Sequence, residues 1–502
     1  MTSAYLCTLI VLAALLQYVH RSQANDKIEL DDEQRAQTSQ PNERPEDPLF
    51  LTPYIEACEY DIAKNKSQVQ MFQWLANVSA YSGLITVNKT YNSSLFFLFL
   101  VAEGNSSKAP ILLWTQGGPG LSALFGQFLE NGPIAFDGNP NISLRSNTLQ
   151  RNMSIIYLDV PVGSGFSFAQ NLDGYSTSLE DITKDVMEFL NQFFQLFYEY
   201  KDRDFYLAGE SYGARYSVAI ANQLLTDNKN LPLRLKGVIG GNGFLGPVLQ
   251  TADSSQFLYQ TSMLNGSGRD EFAMRFQLMR NMTTTERARE VPLLLLSTIF
   301  ADPTGAKPSL FQNLTLYNDH ASPLYTQRPL YMLMCFLFLN NSVYFRRQIH
   351  VGDEAIFRYA DEIVIAKLAA DWLVDIRSMT QHVLNGTRVL FYTGQIDALF
   401  PSVNQRAYFA TLEWTYADKY RNTSRSLWRP PNWNDYMGYA GYIKKVPNFT
   451  EAVLLGMSHY GAADKPDEAY FLITQFIVNS LEEEKVVPPP SFSVGETGVA
   501  SQ

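Results

Sequence analysis

Histidine and cysteine are scarce in this sequence of 502 residues, which contains five histidines and three cysteines. No group of them has the spacing of a zinc site, so we predict neither a metal centre nor another cofactor. Cys7 belongs to an amino-terminal segment that we expect to be removed. Cys58 and Cys335 remain, enough for one disulfide at most, and the sequence leaves open whether they pair.

Basic runs and long hydrophobic runs are also missing from the sequence. The net charge is −11 with no basic cluster, so we expect no nucleic-acid partner. The apolar run Leu6–Leu16 is too short to cross a bilayer, and no other run is longer. It precedes Ser22-Gln23-Ala24, a small-x-small cleavage pattern, although the usual positive charge before the run is lacking. We therefore predict a signal peptide over 1–24 and no membrane span.

Glycosylation motifs, in contrast, are abundant. Fourteen N-x-S/T sequons occur, more than the handful expected by chance, which indicates a glycosylated protein of the secretory pathway, secreted or lysosomal. The candidate sites are Asn65, Asn77, Asn88, Asn92, Asn105, Asn141, Asn152, Asn265, Asn281, Asn313, Asn340, Asn385, Asn422 and Asn448.

The pattern of apolar runs predicts an α/β core with an insertion. Residues 25–47 are polar and acidic, typical of a disordered leader or propeptide, and a Pro-rich tail over 486–502 should also be disordered. We predict the core over 48–250 and 385–482, with a helix near Val186–Tyr198. The strands should be parallel and lie at Leu95–Val101, Ile111–Thr115, Ile155–Asp159, Phe205–Ala208, Leu235–Ile239, Val389–Tyr392 and Ala452–Leu455.

Residues 251–384 lack clear alternating strands and should form a mostly helical cap over the site. The Met- and aromatic-rich stretch Tyr331–Phe338 lies within it. We interpret that stretch as cap core rather than as a substrate pocket.

The stretch Gly209-Glu210-Ser211-Tyr212-Gly213 fits G-x-S-x-G, the nucleophile elbow of α/β-hydrolases. It lies between a short apolar strand and a helical pattern, as that elbow requires. Its glycines suit a sharp turn, and a serine at the helix N-terminus lies near N–H groups that stabilise an oxyanion. Ser211 is therefore a candidate nucleophile.

A serine nucleophile requires a base and an acid, which in this fold follow in the order Ser, Asp or Glu, His. Asp397 follows the predicted strand at Val389–Tyr392, and His459 is the only histidine downstream of it. We predict a triad of Ser211, Asp397 and His459. The alternative reading makes Asp397 a turn cap and His459 an ordinary loop residue.

A second oxyanion donor, besides the N–H of Tyr212, should come from the loop after another strand. Trp114–Gly120 (Trp-Thr-Gln-Gly-Gly-Pro-Gly) has this position, and its glycines let the backbone approach a substrate carbonyl. Gly241–Gly246 also fits G-x-G-x-x-G, but it comes late in the chain without a clear βαβ unit, so we reject a dinucleotide site.

Several separated motifs resemble the serine carboxypeptidases. They are Trp114–Gly120, Glu130–Pro133, Asp159–Phe168, Gly209–Tyr212, Gly241–Gly243, Gly394–Asp397 and His459 with Asp464 and Pro466. Pro48–Glu56, Gly83–Ser93 and Gln116 are more similar still to the vitellogenic-like carboxypeptidases. The resemblance covers about residues 48–480.

The resemblance implies an α/β-hydrolase fold and the release of C-terminal amino acids from peptides through an acyl-enzyme. It implies oxyanion donors at Gly118 and Tyr212, and a site for the substrate's terminal carboxylate at Gln116, Gly117, Glu130 and Glu210. A glutamate can donate a hydrogen bond to a carboxylate only when protonated. Burial or a neighbouring acid raises its pKa, so substrate binding should favour acidic pH.

The sequence departs from the family pattern at several positions. Gln116 replaces a usual Asn, Leu121 a usual Cys, Ala214 a usual Gly and Gly246 a usual Asp. Ser458 and Ala462 flank His459 where a Gly and a Pro are typical. These last changes could loosen His459, and a misplacement of ~1 Å can cost ~100-fold in rate.

Two other functions remain open from sequence alone. The same triad would serve an esterase or acyltransferase, and a binding or storage glycoprotein could keep the fold after catalysis has decayed. The partners we expect are peptides with a free C-terminal carboxylate. The preferred C-terminal residue and the oligomeric state, monomer or homodimer, are not determined by the sequence.

Overall fold

The computed structural model describes residues 46–104, 108–136, 142–228, 230–300, 307–359, 361–431, 433 and 438–478. The chain divides after Glu46, and the remaining described residues belong to one unit. The predicted signal peptide, nearly all of the predicted leader and the predicted tail lie outside the described residues, as do Asn105 and Asn141.

A ten-stranded mixed sheet forms the centre of the described unit, in the order β1-β2-β6-β3-β7-β8-β9-β12-β11-β10. Its strands are β1 (Ala80–Asn88), β2 (Ser93–Leu100), β3 (Ile111–Thr115), β6 (Ser154–Leu158), β7 (Arg203–Glu210), β8 (Leu233–Gly241), β9 (Arg388–Gly394), β10 (Ser426–Trp428), β11 (Gly441–Val446) and β12 (Phe449–Leu454). A separate small sheet pairs β4 (Ile134–Ala135) with β5 (Ser143–Leu144).

The six central strands, from β6 to β12, are parallel. They are covered on both faces, which is why β3 and β6 are continuous apolar runs buried along their whole length. The strands predicted from the sequence are confirmed, with ends that shift by up to three residues. Among the predicted strands only β2 departs from the expected parallel arrangement, and it pairs antiparallel with β6, as β1, β10 and β11 do with their neighbours at the edges.

Helices cover both faces of this sheet. The predicted helix near Val186–Tyr198 is α4, which begins earlier because the Ser178 hydroxyl accepts the Asp181 N–H at 3.2 Å. Its Phe193 ring packs edge-on against Phe99 of β2 at 5.2 Å. The helices outside the insertion are α1 (Thr52–Glu56), α2 (Tyr60–Lys66), α3 (Gln70–Ala76), α4 (Leu179–Leu196), α5 (Tyr212–Thr226), α15 (Ser402–Ala410), α16 (Ala417–Asn422) and α17 (Pro466–Val478).

The insertion between β8 and β9 is mostly helical over its described residues, as predicted for the cap. Its helices are α6 (Val248–Thr251), α7 (Ser255–Gln260), α8 (Gly266–Met282), α9 (Val291–Ile299), α10 (Leu310–Thr315), α11 (Leu330–Asn341), α12 (Val343–Gln348), α13 (Glu362–Leu368) and α14 (Arg377–Gly386).

The parallel strands bring the candidate residues to one edge. Carboxyl ends of parallel strands meet at the same side of a sheet, where α/β proteins bind ligands. Ser211 directly follows β7, and the loops after β9 and β12 carry Asp397 and His459. The loop after β3 begins with Gln116. The topology therefore gathers residues that lie far apart in the sequence.

Candidate active site

Ser211 lies in a strained elbow between β7 and α5. Its φ is 54° and its ψ −120°, a conformation that side chains rarely adopt. A Cβ at Gly213 would lie 2.4 Å from the carbonyl oxygen of Thr115, so only glycine fits there. The Ser211 N–H donates to the Gly241 carbonyl at 2.9 Å, which fixes the turn to β8.

Ser211, His459 and Asp397 lie in a hydrogen-bonded row. The Nε2 of His459 is 3.2 Å from the Ser211 hydroxyl, and its Nδ1 is 2.9 Å from Oδ2 of Asp397. Asp397 is fully buried, and its Oδ1 accepts the N–H groups of Leu399 and Phe400 at 2.9 and 2.8 Å. The carboxylate is thereby fixed with one oxygen aimed at the imidazole.

The environment of His459 favours the charged imidazolium. Burial alone would lower its pKa, but the hydrogen-bonded Asp397 carboxylate, with smaller contributions from Glu210 and Asp319, raises the pKa above its ordinary value. This suits a base that must hold a proton after taking it from a serine.

Asn242 connects the acid and base loops, a role that our sequence reasoning missed. Its Oδ1 accepts the Gly394 N–H at 2.7 Å, and its Nδ2 donates to the Ser458 carbonyl at 2.9 Å. It belongs to Gly241–Gly246, the motif rejected as a dinucleotide site. Its position between two glycines was the available signal.

The glycine-rich loop after β3 lies directly against the elbow. A Cβ at Gly117 would lie 2.7 Å from the Cβ of Ser211 and 3.0 Å from the backbone nitrogen of Tyr212. Tyr212 is the first residue of α5, where helix N–H groups lack partners within the helix. Gly118 follows with φ 109°, a conformation that favours glycine. The two candidate oxyanion donors thus belong to adjoining backbone segments.

Two buried glutamates and Gln116 lie beside the elbow. The Nε2 of Gln116 donates to Oε1 of Glu130 at 2.9 Å, and Oε1 of Gln116 accepts the Trp114 indole N–H at 3.0 Å. Glu130 comes from a π-helical turn, Gly126–Asn131. Its Oε2 is buried and has no hydrogen-bond partner among the described residues.

Glu210 is held by hydrogen bonds from β9 and from the loop after β12. Its Oε1 accepts the Tyr392 hydroxyl at 2.8 Å and the Ala462 N–H at 3.3 Å. A Cβ at Gly461, whose φ is 53°, would lie 2.0 Å from that same oxygen, so glycine is needed there. Tyr392 and Gly461 are further residues of the site that sequence reasoning missed.

Both glutamates hold protons more tightly than ordinary carboxylic acids. Burial, reinforced by the neighbouring charge of Glu210, raises the pKa of Glu130 well above its usual value. Burial also raises the pKa of Glu210, although the hydrogen bonds from Tyr392 and Ala462 oppose that effect. A protonated Glu130 next to Ser211 offers a hydrogen-bond donor to an anion.

A cavity of about 370 Å³ contains these groups. Its lining includes Ser211, His459 and the predicted residues Gln116, Gly117, Gly118, Glu130 and Glu210. The reading of Tyr331–Phe338 as cap core only is wrong, since Met332, Leu333 and Phe336 line the cavity while Cys335 is buried. That helix, α11, is apolar on all sides, so sequence alone could not show that it faces both core and cavity.

A buried ion pair attaches the cap to the elbow helix. Asp371 accepts the Tyr212 hydroxyl at 2.6 Å and pairs with Arg215 at 3.2 Å. Arg215 is fully buried, and its guanidinium also donates to the carbonyl groups of Asp371 and Val374, both at 2.8 Å. The residue that follows the serine, Tyr212, is thereby bound to the cap through its own side chain.

The departures from the family pattern have local explanations. Ser458 is fully buried, and its N–H and hydroxyl both donate to Oδ2 of Asp464. A Cβ at Gly240 or Gly243 would lie 3.0 Å from the Ala214 methyl, so those glycines make room for it. A Cβ at Gly246 would lie 2.8 Å from the Tyr408 ring, which leaves no room for an aspartate.

Among the described sequons, most are accessible. Asn88, Asn152, Asn340 and Asn448 are half-buried, and the exposed ones are Asn65, Asn77, Asn92, Asn265, Asn281, Asn313, Asn385 and Asn422. Cys58 is exposed and Cys335 buried, and both are free thiols. Within the described ranges, no helix is long and apolar enough to cross a membrane, and no cluster of acidic, His or Cys side chains suits a metal ion.

Comparison with known proteins agrees with this geometry. The profile of the serine carboxypeptidase family matches residues 70–479. The venom serine carboxypeptidase of Apis mellifera is 35% identical over 446 residues, covering 86% of this chain and 91% of that protein. The vitellogenic carboxypeptidase of Aedes aegypti is 30% identical over 438 residues, covering 86% and 90%.

The solved structure of Kex1, a prohormone-processing carboxypeptidase from Saccharomyces cerevisiae, aligns with a TM-score of 0.67 at 18% identity. The alignment covers 83% of this chain and 96% of Kex1, and it confirms the α/β-hydrolase fold. The chain therefore belongs to the serine carboxypeptidase family and is a serine-type carboxypeptidase, a hydrolase.

Proposed function

We propose that this carboxypeptidase acts through the triad Ser211, His459 and Asp397. The Ser211 hydroxyl attacks the carbonyl carbon of the last peptide bond, and Nε2 of His459 takes its proton. The N–H groups of Gly118 and Tyr212 stabilise the resulting oxyanion. His459 then gives the proton to the leaving amino group, which breaks the C–N bond and leaves an acyl-enzyme. Water, activated by His459, releases the shortened peptide.

Asp397 has a supporting role in this mechanism. It accepts a hydrogen bond from Nδ1 and stabilises the imidazolium, and it stays ionised throughout. The raised pKa of His459, caused mainly by the Asp397 charge acting against burial, supports this assignment.

The observation that carries an exopeptidase assignment is Glu130 in the same cavity as Ser211. Its Oε1 accepts from Gln116 at 2.9 Å, its buried Oε2 accepts from no donor among the described residues, and its carboxyl group interacts with that of Glu210. A protonated Oε2 would donate to the terminal carboxylate of a peptide, together with Gln116, Gly117 and Glu210. Binding the carboxylate there places the last peptide bond, rather than an internal one, near Ser211.

Two titrations bound the pH range of activity, since ionisation of Glu130 limits it on the alkaline side and protonation of His459 limits it on the acidic side. As pH rises through the raised pKa of Glu130, the acid ionises and repels the substrate carboxylate, so KM should increase. As pH falls through the raised pKa of His459, the imidazolium can no longer accept the serine proton, so kcat should decrease. The best activity lies between these limits.

The protein is proposed to act in the secretory pathway, exported or in lysosomes. The sequons, the predicted signal peptide and the similarity to a venom carboxypeptidase support this location. An acidic compartment would match the protonated Glu130 that carboxylate binding requires.

The test compares peptides that differ only at the C-terminus. An N-blocked dipeptide with a free carboxylate should be cleaved at least about tenfold faster than its C-terminal amide, because a lost charge-assisted hydrogen bond costs ~1.5–3 kcal/mol. Ser211→Ala should abolish cleavage and labelling by a fluorophosphonate probe.

Other outcomes favour other functions. Labelling together with cleavage of esters but not of peptides would favour an esterase or acyltransferase. A wild-type protein that neither reacts with the probe nor cleaves peptides would be a decayed binding protein.

A further inference from the structure

A row of residues across three parallel strands brings a tyrosine to one of the two buried glutamates. Glu210 ends β7 and lies opposite Gly241, the last residue of β8. Gly241 in turn lies opposite Tyr392 of β9. The Tyr392 hydroxyl donates to Oε1 of Glu210 at 2.8 Å, so its side chain reaches past β8 to the strand beyond. The register of the sheet therefore fixes this hydrogen bond.

Gly241 leaves the space that this contact needs. A Cβ at Gly241 would lie 2.3 Å from the Tyr392 hydroxyl oxygen and 2.3 Å from Cζ of its ring. A side chain at this position would therefore push the tyrosine away from Glu210. Tyr392 is 1% exposed, and Glu210 is the acceptor of its hydroxyl in the described structure. The tyrosine is thus built into the sheet as a partner of that glutamate.

The two glutamates differ in the donors that they meet. Oε1 of Glu210 accepts from the Tyr392 hydroxyl and the Ala462 N–H, and such hydrogen bonds favour the charged form of a carboxyl group. Glu130 accepts from Gln116, and its Oε2 accepts from no donor among the described residues. Burial and the charge of Glu210 raise the pKa of Glu130 well above its ordinary value, whereas the bond from Tyr392 opposes the effect of burial on the pKa of Glu210. As pH rises, Glu210 should therefore ionise first.

We propose that Tyr392 is a positioning residue for substrate binding, which makes Glu210 the first glutamate to ionise and so keeps the last proton of the pair on Glu130. A proton on Glu130 can be donated to the terminal carboxylate of a peptide. Tyr392 is not among the described residues that line the cavity, so it acts through Glu210. This inference rests on the proposed function, since it requires that the glutamate pair binds that carboxylate.

Tyr392 keeps its own proton while the glutamates titrate. Burial, with smaller contributions from the charges of Glu210 and Glu130, raises the pKa of its hydroxyl well above the ordinary value, so the hydroxyl donates throughout. The other charged or titratable groups near the pair are Arg145, Tyr157 and Tyr331, which interact with Glu130, and His459, which interacts with Glu210. The variants that test the proposal leave all of these groups in place.

Tyr392→Phe removes the hydroxyl and keeps the ring. Glu210 then competes with Glu130 for the last proton, because its charged form has lost a hydrogen bond worth roughly tenfold or more in an equilibrium constant. We expect KM for a free-carboxylate dipeptide to match that of the wild type at about pH 4, where both glutamates keep their protons. At about pH 6, KM of the variant should exceed that of the wild type at least about threefold. Steady-state kinetics at both pH values measures the difference.

Two further variants control the experiment. Tyr206→Phe makes the same change at a buried tyrosine of β7, whose hydroxyl donates to the Ile477 carbonyl at 3.1 Å, and its KM should follow the wild type at both pH values. Glu210→Gln removes the competitor for the proton. Adding Tyr392→Phe to Glu210→Gln should therefore leave the pH dependence of KM unchanged. Labelling of each variant by the fluorophosphonate probe shows that the fold and Ser211 are intact.

Three results would contradict the role of Tyr392. A KM that rises equally at both pH values would mean that the tyrosine only supports the fold. A KM that stays low to higher pH than in the wild type would mean that a proton on either glutamate serves. An effect of Tyr392→Phe that persists unchanged beside Glu210→Gln would mean that it does not act through Glu210.

Failure of the proposed function gives a different result. If the wild type cleaves the dipeptide and its C-terminal amide equally well, the pair does not bind the carboxylate, whatever Tyr392→Phe does. If the wild type distinguishes the two substrates and Tyr392→Phe keeps the wild-type pH dependence, the inference about Tyr392 alone is wrong.

Discussion

Glu130 lies where a carboxylic acid is useful only while it keeps its proton. It accepts a hydrogen bond from Gln116 and has a second oxygen that faces no protein donor in the described structure. An ionised glutamate there would repel the peptide carboxylate that the site is proposed to bind. Burial and the nearby Glu210 raise its pKa, so the pH dependence of binding arises from this residue's surroundings.

Glu130→Gln tests this directly. Glutamine keeps the size and still accepts from Gln116, while its amide donates at every pH. We expect the KM of the wild type to rise as pH increases from about 4.5 to about 7, and the KM of Glu130→Gln to stay nearly constant over that range. Steady-state kinetics on a free-carboxylate dipeptide measures both.

Glu180→Gln, at an exposed glutamate on α4, is the matched control and should follow the wild type. A KM that rises equally in all three proteins would mean that another group controls carboxylate binding.

At the residue scale, the sequence predicted the groups defined by motif and chain order. Ser211, Asp397 and His459 could be named because each follows a strand in the order that the fold requires. Asn242, Tyr392 and Asp319 could not, because their roles depend on which loops lie side by side. A residue that only hydrogen-bonds to a site residue belongs to no motif by which the sequence could reveal it.

The cap segment 319–325, here called the strap, contacts the loops that carry His459 and Asp397, the proposed base and acid. The Ala321 carbonyl accepts the N–H groups of His459 and Ala398 at 3.1 and 3.2 Å. Asp319, which is 2% exposed, accepts the Ala321 N–H at 2.8 Å and the Tyr460 hydroxyl at 2.5 Å. An element of the cap thereby positions His459, the proposed base, and adds negative charge near it.

Two variants separate the charge of this strap from its geometry. Asp319→Asn keeps the shape and removes a charge that raises the pKa of His459, so the acid limb of the kcat/KM profile should move to lower pH. Tyr460→Phe keeps the charge and loses the hydrogen bond, so kcat should fall about threefold to tenfold with an unmoved acid limb.

The other charged or titratable groups facing His459 are Asp397, Glu210 and His320, and both variants leave them in place. Asp270→Asn, at an exposed aspartate on α8, provides the control. Identical pH profiles for Asp319→Asn and wild type would remove the electrostatic role of the strap.

At the element scale, the sequence predicted the strands whose burial on both faces requires an apolar run. The central strands are apolar on both faces and were found. The edge strands β1 and β11 alternate or include polar residues, such as Lys444 and Lys445, and were missed. The cap could be predicted as helical, but its face toward the cavity could not, because α11 shows no polar side.

For the whole molecule, the buried ionisable groups determine how stability changes with pH. The carboxyl groups whose pKa is raised, with burial the largest cause in each, are Glu130, Glu210, Asp464, Asp159 and Asp185, the last two to about 7. Each keeps its proton in the folded state over a range in which the unfolded chain ionises, from about pH 4 upward. Their contribution is complete below about pH 4 and is lost as pH rises toward 7.

The histidines partly oppose this trend. Burial lowers the pKa of His320 to about 3 and that of His350 to about 4, so their contribution is lost as pH falls below the unfolded value of about 6.5. These two histidines destabilise the folded state as pH falls, whereas the five carboxyl groups destabilise it as pH rises. His459, whose pKa is raised, acts in the same direction as the carboxyl groups. The balance favours greater stability near pH 5 than near pH 7.

We therefore expect the melting temperature to be several degrees higher at about pH 5 than at about pH 7, measured by calorimetry at equal ionic strength. Asp185→Asn isolates one contribution, because among the described residues its side chain accepts one long hydrogen bond, from the Ser176 hydroxyl at 3.5 Å, and the Asp181 charge raises its pKa. The variant should gain a few degrees at pH 7 and little at pH 5, while Asp270→Asn should match the wild type at both. A wild type that melts higher at pH 7 would show that the histidines outweigh the buried acids, and it would weaken the argument for an acidic compartment.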